Sequence, residues 1–90
     1  MKIFCSELYE NQLKNILQGL AEIDFASTQK FKSYLDTIIV NIPTKANKYK
    51  KSIYYDDEYV KDVEYENYTI IFHMDKDKQN YLILAIIKKT

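Results

Sequence analysis

The chain has 90 residues, 47% of them hydrophobic, with one Gly and one Pro, a composition that excludes a disordered tail or a collagenous chain and is expected to build a single domain over 1–90. Thirteen acids cancel thirteen bases, so no net field draws the molecule onto nucleic acid or an anionic membrane. Every base is Lys, which removes the bidentate grip of Arg on phosphate, and the lone Cys5 excludes an intrachain disulfide and any metal site built on a Cys pair.

Lys2-Ile3-Phe4-Cys5 predicts a short strand, stopped by Ser6. Ser6 is a good N-cap, and Glu7 and Glu10 suit the positive end of a helix dipole. Tyr9, Leu13, Ile16, Leu17, Leu20 and Ile23 follow at helical spacing and define one apolar face. Gly19 inside that helix costs on the order of 1 kcal/mol relative to Ala, which close approach of another helix would explain. Cys5 is expected to be a small buried apolar residue.

Asp24 is the next cap, and Thr28, Phe31, Leu35, Ile38, Ile39 and Ile42 form a second helical stripe that Pro43 ends. A single breaker between the stripes requires a tight αα-hairpin. Thr44 to Lys51 is expected as a loop, and Ser52-Ile53-Tyr54-Tyr55 as a short strand ahead of the turn-prone Asp56-Asp57-Glu58. Tyr59 to Tyr65 alternates as an edge or amphipathic strand, and Glu66-Asn67 turns into the next.

Tyr68 to Met74 and Tyr81 to Ile87 are rich in β-branched and aromatic residues around a wholly polar turn, the pattern of a hairpin. With Met74 opposite Tyr81, strict alternation places Tyr68, Ile70, Phe72 and Met74 on one face with Tyr81, Ile83, Ala85 and Ile87. Both faces are apolar, so helices are expected over one and a partner over part of the other. The expected fold is α+β: an N-terminal strand and an αα-hairpin packed on a twisted antiparallel sheet of about four strands. No run approaches a membrane-spanning length and no signal peptide is visible, so a cytoplasmic protein with no membrane partner is expected.

The opening Ile3-Phe4-Cys5-Ser6-Glu7, the Asp24-Phe25 helix start, the Ile42-Pro43 exit and the strand Tyr68-Thr69-Ile70-Ile71-Phe72, in that order and spacing, resemble the RelE/ParE superfamily of type II toxin–antitoxin toxins. The resemblance covers essentially the whole chain. It implies a small cytoplasmic toxin neutralised by a cognate antitoxin, without a cofactor or metal, as a homodimer or as a heterotetramer with the antitoxin. One branch of the family cleaves mRNA on the ribosome and the other poisons DNA gyrase. The nuclease branch carries Arg beside the strand Tyr, where this chain has Thr69, and a basic, tyrosine-bearing extension where this sequence has Lys88-Lys89-Thr90. Metal-free phosphodiester cleavage needs a base, an acid and a cation for the transition state, and only Lys can supply the last here. The ParE-like branch, binding a macromolecular target such as gyrase, is therefore the favoured expectation. A RelE-like ribosome-dependent mRNA endonuclease is the alternative, and an inactive binding module of the same fold is the second.

For the nuclease reading the candidate catalytic residues are His73, Lys50, Lys51 and Lys88, with His73 the acid or base and the lysines the cations. Lys45, Lys48 and Tyr49, with Tyr54, Tyr55, Tyr68 and Tyr81, are the candidates for binding target or antitoxin, the lysines as a basic loop with an interleaved aromatic and the tyrosines as interface rings. The plainer readings are a structural histidine, a solvated loop, and rings that cap a small core. Lys88 and Lys89 join the basic patch if the last strand ends beside it. Asp56, Asp57 and Glu58 lack the spacing of a calcium loop and read as a charged turn.

Overall fold

A computed structural model describes residues 2–89. Strand β1 (Lys2–Cys5) leads through Ser6 into α1 (Glu7–Ile23); Asp24 alone separates this from α2 (Phe25–Val40), and α3 (Ile42–Lys45) and a 3₁₀ turn (Ala46–Lys48) follow. The remainder is β2 (Lys50–Lys51), β3 (Val60–Tyr65), β4 (Tyr68–Asp75) and β5 (Asn80–Lys88). The α+β class and the helical hairpin are those expected, while the sheet has five strands in the order β1-β5-β4-β3-β2. Its meander is antiparallel, but β1 lies parallel to β5, pairing Lys2 with Asn80 through Cys5 with Ile83.

Both caps act as the sequence implies. Ser6 Oγ accepts from the Tyr9 N–H at 3.0 Å, and Asp24 Oδ1 accepts from the Ala26 and Ser27 N–H groups. Asp24 also accepts the Ser27 hydroxyl at 2.7 Å, and these bonds hold its carboxyl below the usual carboxylate range. Pro43 does not simply stop a helix: it lies in the first turn of α3, where the missing N–H would have had no intrahelical partner. The stretch expected as a loop is thus mostly helical. Ser52-Ile53-Tyr54-Tyr55 is not a strand; pairing ends at Lys51, and Ile53 to Asp56 form bends. Gly19 is not a point of close approach, since nothing lies within 4 Å of where its Cβ would be, and Ile23, 85% exposed, lies off the apolar stripe. Cys5 is exposed, not buried. Partial desolvation, then Glu10 and Asp36, push its thiol pKa up, away from a reactive thiolate.

The helices cover one sheet face. Leu13, Leu35, Ile39 and Ile42 meet Val63, Ile70, Phe72, Ile83 and Ile86 in the main core. Met74 pairs with Tyr81 as expected, but the ladder shifts between Ile71, opposite Ala85, and Phe72, opposite Ile83, so that Leu84 is the extra residue of a β-bulge. The bulge inverts the expected facing beyond it: Ile86 joins Ile83 in the main core, and Ala85 and Ile87 turn to the opposite face with Ile71 and Val60. The Ser6 N–H donates to Ile83 O and its hydroxyl to Leu84 O, while Gln12 Oε1 accepts from the Ile86 N–H. The backbone groups that the bulge frees are thereby satisfied from α1 and its cap.

Candidate functional site

A cleft of about 630 Å³ lies on the β2 side of the sheet. Antiparallel pairing sets Lys50 opposite Asp62, and Asp62 in turn opposite Ile71, so Lys50, Asp62, Glu64 and Thr69 share the sheet face away from the helices. Lys48, Tyr49, Lys51, Ile53 and Tyr54 wall the cleft on one side, and Lys89 reaches it from the end of β5. Of the two C-terminal lysines, Lys89 joins the basic patch and Lys88 does not.

The charges in the cleft are largely committed. Lys89 Nζ lies 3.0 Å from Glu64 Oε2, and Lys51 Nζ lies 3.5 Å from Asp56 Oδ1. Lys51 is directly opposite Lys61, an unfavourable like-charge pair that is relieved because Lys61 Nζ turns to donate to Tyr49 O at 3.0 Å. Asp62 Oδ2 accepts from the Ile53 N–H at 3.1 Å, which folds the tyrosine-bearing segment over the cleft wall. Asp62 Oδ1 is buried without a hydrogen-bond partner among the described residues. Two cleft lysines, Lys48 and Lys50, form no ion pair among those residues. A concavity with two unpaired ammonium groups, two carboxylates and aromatic walls suits a polypeptide of mixed charge better than a run of phosphates.

The other candidates from the sequence are dispersed. His73 faces away from the helices between Val60 and Leu82 and is not among the cleft residues. Lys88 pairs with Tyr68 and lines a different pocket, beside α2. Tyr49 and Tyr81 set their rings against Phe72 at 6.0 and 6.4 Å, and Tyr68 sets its ring against Phe31, so these three are half-committed to the core. Tyr54, Tyr55 and Lys45 are exposed. His73, Lys50, Lys51 and Lys88 are therefore not gathered in one catalytic constellation. Asp62, Glu64 and Thr69 enter the cleft through strand register alone, which no local pattern signals. Among the described residues no cluster of three or more His, Cys, Asp or Glu is placed to hold a metal, and no helix is long and apolar enough to cross a membrane.

No family model matches the chain, and no curated protein matches it in sequence. Solved structures do match it in shape. A chain of the structure described as "Chromosomal ParDE TA system from P. aeruginosa" superposes with a TM-score of 0.78 over 100% of this chain and 97% of its own length, at 13% sequence identity. The strand, helical hairpin and five-stranded sheet described above are therefore the fold that the resemblance to RelE/ParE toxins implied.

Proposed function

We propose that the protein is the toxin of a type II toxin–antitoxin system, acting in the cytoplasm, silenced by a cognate antitoxin, and working by binding a macromolecular target in the manner of ParE, with DNA gyrase as that target. The observation that carries this reading is the fold match to a chain of a ParDE system, which covers 100% of this chain and 97% of that one. The cleft supports binding over cleavage. Two of its lysines are paired with Glu64 and Asp56, a carboxylate oxygen of Asp62 is buried beside it, and neither His73 nor Lys88 reaches it. A phosphate in flight would meet as many carboxylates as free cations.

The second reading, a ribosome-dependent mRNA endonuclease, is favoured by one observation: Lys48, Lys50 and Tyr54 line the same cleft. Induced expression in a bacterial host separates the two. Filamentation with DNA-damage signalling is the expected result. An immediate halt of protein synthesis with cleaved transcripts overturns the gyrase reading in favour of the nuclease, and normal growth with folded product leaves only a binding module of this fold.

A further inference from the structure

A second pocket, of about 450 Å³, lies on the helix side of the sheet between α2 and the β3–β4 turn, and it shares no lining residue with the cleft. Its walls are rings: Phe31 meets Tyr68 edge-on at 5.5 Å and Tyr65 at a tilt at 5.1 Å, with Tyr34 beside them. The Tyr65 hydroxyl donates to Phe31 O at 2.9 Å, which fixes this wall to the helix backbone. Desolvation, then Glu66 and Tyr34, push the Tyr65 phenol pKa up, so it stays a neutral donor. Tyr34 takes no part in these ring pairs and is 61% exposed, a large apolar surface held open at the mouth. Lys30 from α2 and Lys88 from β5 also line the pocket, and neither forms an ion pair among the described residues. Glu66 is the one acid in the lining.

We propose that this pocket anchors a protein segment presenting an aromatic side chain flanked by carboxylates. The incoming ring lies against Tyr34, Phe31 and Tyr68, and the carboxylates on either side of it meet Lys30 and Lys88. Phe31 and Tyr68, already locked edge-to-face, lose little freedom on binding, the property that makes aromatic walls effective anchors. Two lysines on separate elements match two carboxylates of an extended peptide. A nucleic-acid strand needs a longer cationic track, and here Glu66 and the neutral chain oppose it. The assignment rests on the pocket alone and holds whether or not the protein is a toxin.

The test is a titration of the full ¹⁵N-labelled chain with acetyl-Glu-Trp-Glu-amide, read by amide shifts, with acetyl-Glu-Ala-Glu-amide and a short oligouridylate in parallel. Saturable shifts at Tyr34, Tyr68 and Lys88 with the Trp peptide alone are expected. Tyr34→Ala, an exposed position whose loss leaves the fold intact, is expected to weaken binding about tenfold. Lys30→Ala and Lys88→Ala are each expected to weaken it roughly two- to fivefold. Shifts that the Ala peptide reproduces, an oligouridylate that displaces the Trp peptide from the same amides, or undisturbed amides at the solubility limit of the peptide overturn the proposal.

Discussion

The side-chain carbonyl of Gln12 accepts a hydrogen bond from the Ile86 N–H at 2.9 Å, so a residue in the second turn of α1 completes the ladder of a strand 74 positions away. β1 stops pairing with β5 at Ile83, and Gln12 takes its place on the exposed margin just beyond the Leu84 bulge. Gln12→Leu leaves the Ile86 N–H without an acceptor and is expected to destabilise the protein by about 1–3 kcal/mol. Chemical denaturation gives the loss, and faster hydrogen exchange at Ile86, with the rest of β5 still protected, assigns it to this bond.

Gly19 sits mid-helix with open space around it and no left-handed backbone to preserve. Gly19→Ala is therefore expected to stabilise the fold by about 0.5–1 kcal/mol, because Ala loses less backbone entropy on entering a helix. A lowered denaturation midpoint would show that the position meets another chain or segment.

Asp24 links the two helices through three acceptor contacts, and its folded carboxyl has a depressed pKa. The sign follows directly: its contribution is complete above the ordinary Asp pKa of about 3.9 and disappears as pH falls through the lower folded value. Asp24→Asn keeps a cap but removes that dependence, so the stability difference between the two proteins is expected to shrink in acid. A difference that is constant from neutral pH to pH ~2 would show that the carboxylate charge is not what the caps use.

The fold is legible in the sequence where its cause is local. Ser6 and Asp24 announce both helices, and the polar hexapeptide between Met74 and Tyr81 fixes their pairing. It is hidden where the cause is distant. The Leu84 bulge, with Ser6 and Gln12 bonded to the strand around it from far along the chain, breaks the strict alternation that places Ala85, Ile86 and Ile87 on the wrong faces. Hydrophobicity pointed to Ile53-Tyr54-Tyr55 as a strand, yet all three are exposed and the edge pairing is made by two lysines. The basic half of the cleft was visible as Lys48, Lys50 and Lys51. Its acidic half, Asp62 and Glu64, arrives through register, and with it the balance between binding and cleavage.

Tyr65 carries one strand-to-helix tie, its hydroxyl bonded to Phe31 O. Tyr65→Phe is expected to cost about 1 kcal/mol while leaving the ring contacts in place. Thermal or denaturant unfolding measures the loss, and an unchanged midpoint would mean that water replaces the tie at no cost.

If the protein is the proposed toxin, its growth inhibition on induction is expected to weaken in the Lys48→Ala, Lys50→Ala double variant and to persist in His73→Ala, because the cleft holds the lysines and not the histidine. Colony counts after induction check this. The opposite pattern would move the working surface to the centre of the sheet, next to Val60 and Leu82.

The two outermost strands span four residues and two, and the shorter consists entirely of lysine. A long bare margin is what lets copies of a sheet protein stack side by side into fibrils, and repelling ammonium groups on a truncated rim suppress that growth. The strongly apolar β4–β5 hairpin thus lies inside the sheet, with a short strand on one side and the lysine-edged β3–β2 pair on the other between it and edge-to-edge pairing.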